Sequence, residues 1–296
     1  MNILFFGLPE AALGLLEDGQ HIVHAAICRK DADGLDSLRQ KLGAEHVSVL
    51  PQITPAWAQR MAPEGVDLII SWFWTKKLPL DVLALARIAT LGVHPSLLPR
   101  HRGPDPIFHA IDAGDTVTGV SAHVLAGEYD VGDVYAQREL AIDPSWNGWQ
   151  LAQALDAPSL ALLRELALRF KEGDVPAAIP QPGDAITQAP MPSEEELELD
   201  ASWSSERIVR RVRAAAPWPG AWIWFGDEVL TLTHVELAER GFDGVPPGTG
   251  FVWKDQVYLA TADGALRVLA ARVGEAEDAV EGDALVKAVR DLAQGA

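Results

Sequence analysis

The first half of the chain alternates apolar, strand-like runs with helix-like segments, and this alternation limits the possible folds more than any other feature. A strand that is apolar along its whole length is buried on both faces, as in a parallel sheet that helices cover on both sides. We therefore predict an α/β domain in residues 1–172, with a mainly parallel, Rossmann-like sheet and helices on both faces. The strand-like runs are NILFFG, HIVHAAIC, VSVL, VDLIISWF and IATLGVH.

The composition changes after this domain. The stretch from Gly173 to Pro192 holds five prolines, and the acidic run SEEELELD follows it. Proline-rich and acidic sequence is typical of an extended linker, which we predict over residues 173–200. Short alternating runs continue from there, and Asp263-Gly264 between two of them is a hairpin signal. They predict a small, OB-like β-barrel in residues 201–296.

Charge and motifs exclude several classes of protein. The 296 residues include 24 basic and 42 acidic ones, and the net charge of −18 opposes nucleic acid and favours a small-molecule partner. Gly7 is followed by LPEAA and not by a glycine-rich phosphate loop, which argues against a dinucleotide oxidoreductase or a nucleotide hydrolase. The single cysteine, Cys28, excludes a disulfide framework and a multi-cysteine metal site, so we expect no metal.

The chain also lacks the signals of a membrane protein. No apolar run approaches the roughly 20 residues that a membrane helix needs. The first residues, MNILFFG, have no basic leader of the kind that a signal peptide carries. We expect no membrane partner and a cytoplasmic location.

Two loops at predicted strand ends carry the candidate chemistry. His94 ends the strand IATLGVH, and Asp130 lies in the turn-like stretch LAGEYDVGDVY. Taken alone, His94 is explained as a strand-end histidine bonded to backbone, and Asp130 as a turn residue. Because ligands bind at the carboxyl ends of parallel strands, the two together predict a histidine general base that a carboxylate orients.

The stretch from Val93 to Leu140 resembles the folate-dependent formyltransferases. The pattern H-x-SLLP-x-x-RG, followed by T-GV and D-x-GD, carries the resemblance. The resemblance extends over nearly the whole chain. The family's opening strand and helix resemble ILFFGLPEAAL, and the entry to its C-terminal β-domain resembles DASWSSERIVRRVRAAAPWPGAW. The resemblance implies transfer of a formyl group from 10-formyltetrahydrofolate, the co-substrate, to a primary amine.

The resemblance assigns the catalytic positions and exposes one departure. His94 and Asp130 match the family's histidine and aspartate, but the catalytic asparagine position is Gly92. The other asparagines are no substitute, since Asn2 opens the first strand and Asn147 is predicted to cap a helix. Three explanations are open: the Gly92 backbone or a water donates to the oxyanion, the acceptor brings its own donor, or the protein binds folate without transfer.

The resemblance also implies a folate pocket beside the strand VDLIISWF. Alternation places Trp72 and Trp74 on one face of the strand and Phe73 on the other, so the three cannot all line one pocket. Packing in the core is the alternative for each of them. The predicted folate contacts are Trp72, Phe73, Trp74, Leu98, Gly127 and Glu128.

Two arginines after SLLP, Arg100 and Arg102, are predicted to bind the acceptor. They suit a phosphate or the glutamate tail of folate, and Arg102 also matches an RG pair that is often structural in the family. Residues 201–296 carry 10 basic and 14 acidic residues, which disfavours tRNA. Four arginines cluster there, and we expect them to pair with the acidic linker: Arg207, Arg210, Arg211 and Arg213.

We therefore predict a formyltransferase that acts on a small amine such as an amino sugar nucleotide. A methionyl-tRNA formyltransferase is the first alternative. The others are a folate-binding relative that has lost catalysis and a formyltetrahydrofolate hydrolase. The sequence leaves a homodimer open.

Overall fold

A computed structural model describes residues 1–225, 228–239, 242 and 244–295, which fall into two units. Unit 1 comprises residues 1–106, 117–141 and 153–190, and unit 2 the described residues within 107–116, 142–152 and 191–296. None of the helices in these described residues combines the length and the apolarity of a membrane-crossing segment.

Unit 1 contains a seven-stranded sheet in the order β3-β2-β1-β4-β5-β6-β7. The first five strands of this order are parallel, and β6 and β7 run antiparallel to their neighbours. The mainly parallel sheet predicted from the sequence is confirmed. Its strands are β1 (Asn2–Gly7), β2 (His21–Ile27), β3 (Val47–Val49), β4 (Val66–Trp72), β5 (Ala86–His94), β6 (Val117–His123) and β7 (Val134–Ala141).

Helices of unit 1 pack against this sheet, whose central strands are apolar on both sides. Ile3, Leu4, Phe5 and Phe6 of β1 are completely buried, as a strand covered on both faces requires. The described helices of the chain are α1 (Pro9–Glu17), α2 (Leu35–Leu42), α3 (Pro55–Met61), α4 (Leu80–Leu83), α5 (Pro106–Ala113), α6 (Gly148–Lys171), α7 (Glu194–Leu197), α8 (Ser205–Ala215) and α9 (Gly282–Gly295).

The strand order reverses beside β1. The chain places β2 and β3 on one side of β1 and then returns to place β4 and β5 on the other. Such a reversal opens a crevice at the carboxyl ends of the strands, where ligands bind in open α/β sheets. Gly7 permits the close approach there, since a Cβ on it would lie 1.9 Å from the carbonyl oxygen of Trp72.

Unit 2 contains an antiparallel sheet in the order β10-β11-β12-β9-β8, with β13 beside β12. The predicted hairpin is confirmed, because Thr261 N–H donates to the Gly264 carbonyl at 3.0 Å in the turn between β11 and β12. The predicted small barrel is present as this antiparallel half-barrel. Its strands are β8 (Ala221–Phe225), β9 (Glu228–Leu237), β10 (Gly250–Trp253), β11 (Gln256–Ala260), β12 (Ala265–Val273) and β13 (Val280–Glu281).

The arginine cluster of α8 pairs differently from the prediction. Arg207 and Arg211 both bind the carboxylate of Asp112 on α5 and not the acidic segment before α8. Burial raises the pKa of Asp112, but the bonds from the two guanidinium groups outweigh this and hold it below its usual range. The expectation was wrong because helical spacing of the arginines does not show which carboxylate the fold brings beside them.

Replacing Asp112 with asparagine is expected to lower the free energy of unfolding by about 3 kcal/mol, because it leaves buried cations without a counter-ion. The side chains of Asp112 and Arg211 are only 13% and 10% exposed. Since pairing lowers the pKa of Asp112, the contribution is complete at neutral pH and is lost in acid. Urea unfolding at neutral pH and at acid pH measures this contribution to stability. The exposed Asp255–Arg290 pair is the control, and Asp255→Asn should change stability little.

Candidate functional site

One carboxylate in unit 1, that of Asp130, lies between two imidazoles. His94 Nδ1 is 3.5 Å from Asp130 Oδ2, and His123 Nε2 is 3.4 Å from Asp130 Oδ1. The three side chains are 7%, 14% and 4% exposed in the order His94, Asp130, His123. The structure thus brings together His94 and Asp130, which the sequence predicted, and adds His123, which it did not.

Backbone carbonyls orient both imidazoles. His94 Nε2–H donates to the His101 carbonyl at 2.8 Å, and His123 Nδ1–H donates to the Val124 carbonyl at 2.9 Å. The other nitrogen of each ring therefore faces Asp130, and in His94 this nitrogen, Nδ1, is the one that gains or loses a proton. Asp130 Oδ2 also accepts the Gly103 N–H at 3.0 Å, which fixes the carboxylate.

Burial and the neighbouring groups favour a neutral His94 and an ionised Asp130. Burial lowers the pKa of His94, and the Asp130 carboxylate and the His101 carbonyl act in the opposite direction. Burial raises the pKa of Asp130, but the bond from His123 and the neighbouring charges hold it below its usual range. A neutral His94 beside an ionised Asp130 can accept a proton, and the carboxylate then stabilises the imidazolium.

Gly92 makes room for the imidazole of His123. The antiparallel pairing of β5 and β6 places the two residues opposite each other. A Cβ on Gly92 would lie 2.9 Å from His123 Nε2 and 2.6 Å from Leu125 Cδ2, so any side chain at this position would displace its neighbours. The ring of His123 therefore occupies the space beside Gly92 into which an asparagine side chain would extend.

A cleft of about 590 Å³ is lined in part by the loop that carries Asp130. The loop between β6 and β7, which carries Asp130, contributes Gly127, Glu128 and Val131, and the stretch after β4 contributes residues 77–80. The lining is mostly apolar, with Lys77 Nζ and Glu128 Oε2 paired at 2.5 Å. Its size and chemistry suit a small organic ligand, and two predicted folate contacts, Gly127 and Glu128, line it.

The three aromatic residues after VDLIIS lie in different surroundings. Trp72 is 1% exposed, and its indole N–H donates to Ser159 Oγ on α6 at 2.9 Å. This burial leaves no face of the ring for a ligand and argues against the predicted folate contact. Phe73, with a φ of 55°, packs edge-on against Trp72. Trp74 packs against Phe6, and its buried indole N–H has no hydrogen-bond partner within the described residues.

The remaining predicted contacts lie on the SLLP loop. Leu98 is buried, and its N–H donates to Ser121 Oγ at 2.9 Å. It lines a different hollow from the one that Gly127 and Glu128 line. Arg102 is buried and donates twice to Gln181 Oε1, at 3.0 and 2.7 Å, which favours the structural alternative for this residue. Arg100 is exposed.

Comparison with known proteins gives consistent matches. The family described as "Formyl transferase" matches residues 19–165, and "Formyl transferase, C-terminal domain" matches residues 192–285. Methionyl-tRNA formyltransferase of Myxococcus xanthus is 32% identical to this chain, and the alignment covers 99% of each protein.

Solved structures share the fold. The N-formyltransferase from Helicobacter canadensis, in complex with folinic acid and dTDP-3-aminofucose, gives a TM-score of 0.64 at 14% identity, covering 90% of this chain and 98% of that one. Methionyl-tRNA formyltransferase from Clostridium thermocellum gives 0.56 at 15% identity, covering 95% and 100%. At these identities the structures bear on the fold alone.

Proposed function

The chain belongs to the folate-dependent formyltransferase family, and we propose that it transfers the formyl group of 10-formyltetrahydrofolate to a primary amine on a small molecule. The observation that carries the proposal is the Asp130 carboxylate held between His94 and His123, on a loop that also lines an apolar cleft. A base, a carboxylate that tunes it and a donor for the oxyanion are what formyl transfer to an amine requires.

The cleft fits the co-substrate in size and in chemistry. Its apolar lining suits a flat ring system, and the Glu128 carboxylate can accept N–H bonds from such a ring. A Cβ on Gly127 would approach Leu80 to 3.2 Å, so a larger residue at this position would narrow the cleft. When bound, 10-formyltetrahydrofolate would supply the activated formyl group.

Each side chain of the cluster has its own role in the proposed reaction. His94 accepts the proton that the attacking amine loses, and Asp130 stabilises the resulting imidazolium. His123 fills the space of the asparagine that this chain lacks and holds Asp130 on the side away from His94, with its Nδ1–H on the Val124 carbonyl and its Nε2 against the carboxylate. Of the explanations that the sequence leaves open for Gly92, we propose the active enzyme, in which the Gly92 backbone or a water donates to the oxyanion.

The proposal predicts the acid side of the pH profile. Activity requires neutral His94, and because burial lowers its pKa, kcat/KM should fall only below the usual histidine range of about 6.5. Asp130→Asn removes the carboxylate that favours the protonated ring, so it should lower activity and move this limb to still lower pH. Steady-state rates from pH 4.5 to 8 measure both. A wild-type acid limb at or above pH 7 contradicts the assignment.

We propose a small-molecule acceptor, such as an amino sugar nucleotide, on electrostatic grounds. Two arginines of α8 already bind Asp112, so they are not available as free charges for a phosphate backbone. A cleft of about 530 Å³ in unit 2 is lined by Glu195, Glu198 and Asp200, whose charge repels phosphates. Methionyl-tRNA is the second candidate, because a methionyl-tRNA formyltransferase is 32% identical over 99% of this chain.

Rates of formyl transfer to dTDP-linked amino sugars and to methionyl-tRNA test the acceptor directly. The proposal predicts turnover with an amino sugar nucleotide and weak, salt-sensitive retention of tRNA. Efficient formylation of methionyl-tRNA alone would establish the second candidate. Release of formate without any amine would identify a hydrolase, and folate binding without turnover would identify a protein that has lost catalysis.

A further inference from the structure

Residues 178–190, which we call the brace, run against both loops of the candidate site within unit 1. Ile179 exchanges backbone hydrogen bonds of 2.9 Å with Val134, directly after the Asp130 loop. At its other end the brace pairs with the SLLP loop, because Arg102 N–H donates to the Thr187 carbonyl at 2.9 Å and Ala189 N–H donates to the Arg102 carbonyl at 2.6 Å. The brace therefore joins the two loops that supply the contacts of His94.

The side chain of Gln181 makes the central connection. Its Nε2 donates to the carbonyls of Asp130 at 2.8 Å and Gly132 at 2.7 Å, and its Oε1 accepts twice from Arg102. Both N–H groups and the oxygen of the amide are thus used. Pro180 and Pro182 flank Gln181 and restrict the backbone on either side of it.

The brace holds the two residues that contact His94 in an unfavourable backbone conformation. Asp130 has a φ of 56° and His101 a φ of 57°, in the left-handed region that residues with a Cβ rarely adopt. Gln181 binds the carbonyl of Asp130, and Thr187 Oγ1 accepts the His101 N–H at 2.8 Å. His94 in turn lies between the Asp130 carboxylate and the His101 carbonyl.

We propose that Gln181 is a positioning residue that holds the Asp130 loop, and with it the carboxylate, against His94. The inference rests on the proposed function for its effect on turnover. It also assigns a role to part of the proline-rich segment, whose composition alone is typical of a linker.

The test compares three variants. Gln181→Met keeps the shape and removes all four bonds, so kcat should fall about tenfold to a hundredfold with little change in KM for the folate. Gln181→Glu can still accept the hydrogen bonds from Arg102, but it turns a carboxylate toward two carbonyl oxygens. Its kcat should therefore fall as much as that of Gln181→Met. Gln188→Met, on an exposed side chain of the same brace, should match wild type.

Each variant also has a readout besides turnover. Imidazole NMR titration measures the pKa of His94, on which the neighbouring Asp130, His101 and His123 act. The His94 signal is assigned by its loss in His94→Gln. If Gln181→Met lets the carboxylate move away, this pKa should fall, while in Gln188→Met it should not change. The titration stays readable if the wild type transfers no formyl group, so failure of the proposed function and failure of this inference are distinguishable.

Two results would overturn the inference. One is an unchanged His94 titration in Gln181→Met. The other is full activity in Gln181→Glu together with loss in Gln181→Met, which would show that the bonds to Arg102 matter and those to the Asp130 loop do not. Circular dichroism and thermal melting of each variant identify a loss of rate that comes from misfolding, and the NMR comparison is then made on folded Gln181→Glu.

Discussion

Replacing His94 with glutamine is expected to lower kcat/KM for formyl transfer by about a hundredfold to ten-thousandfold, the range that a positioned general base contributes. Glutamine can still donate to the His101 carbonyl, as His94 Nε2 does at 2.8 Å, but it cannot accept a proton at neutral pH. The loss should therefore appear in kcat, with binding of the folate largely retained.

Tetrahydrofolate release in the presence of a turned-over amine measures this loss, and equilibrium titration of the folate measures binding. His21→Gln is a matched control, because His21 is exposed at the start of β2, at the opposite end of the strands. It should have wild-type rates. A His94→Gln enzyme with more than half of the wild-type kcat would remove His94 from the role of base.

Replacing His123 with alanine is expected to lower kcat by about tenfold to a hundredfold, because Asp130 loses one of the groups that hold its carboxylate in place beside His94. Gly92→Asn, which restores the residue that the family has at this position, should also lose activity and not gain it. The reason is steric, since a Cβ there would lie 2.9 Å from His123 Nε2. An increase of kcat in Gly92→Asn would contradict the proposed role of His123.

A double-mutant cycle separates the two residues. The asparagine lowers kcat mainly because it displaces His123. Gly92→Asn should therefore lower kcat by a much smaller factor in a His123→Ala background than in wild type. Leu125 also contacts the position, at 2.6 Å from the added Cβ, so some cost should persist. Additive losses would show that Gly92 and His123 act independently.

The sequence predicted the sheet and two of the three residues of the cluster, because those features are local. Continuous apolar strands indicate a covered parallel sheet, and a histidine at a strand end indicates a site at the carboxyl edge. His123 was missed because its contact with Asp130 depends on the pairing of β6 with β5, which no local pattern shows. Its position at a strand end, seven residues before Asp130, was the available signal.

Other features depended on packing between distant segments. The sequence predicts Trp72 as a pocket residue. In the structure α6 packs on it, and Ser159 Oγ lies 2.9 Å from its indole nitrogen. Gln181 lies in a proline-rich stretch, and composition does not show that such a stretch pairs with two loops. The partner of Arg211 could not be chosen from the sequence either, because Asp112 is 99 residues away along the chain.

We propose that this chain transfers a formyl group to an amine with His94 as the base. Incubation with 10-formyltetrahydrofolate labelled with ¹³C in the formyl group, in the presence of amino sugar nucleotides, tests it by mass spectrometry of the acceptor. We expect one labelled formyl group on the amine for each tetrahydrofolate released, and loss of both products in His94→Gln. Label that reaches only formate, or transfer that is unchanged in His94→Gln, would contradict it.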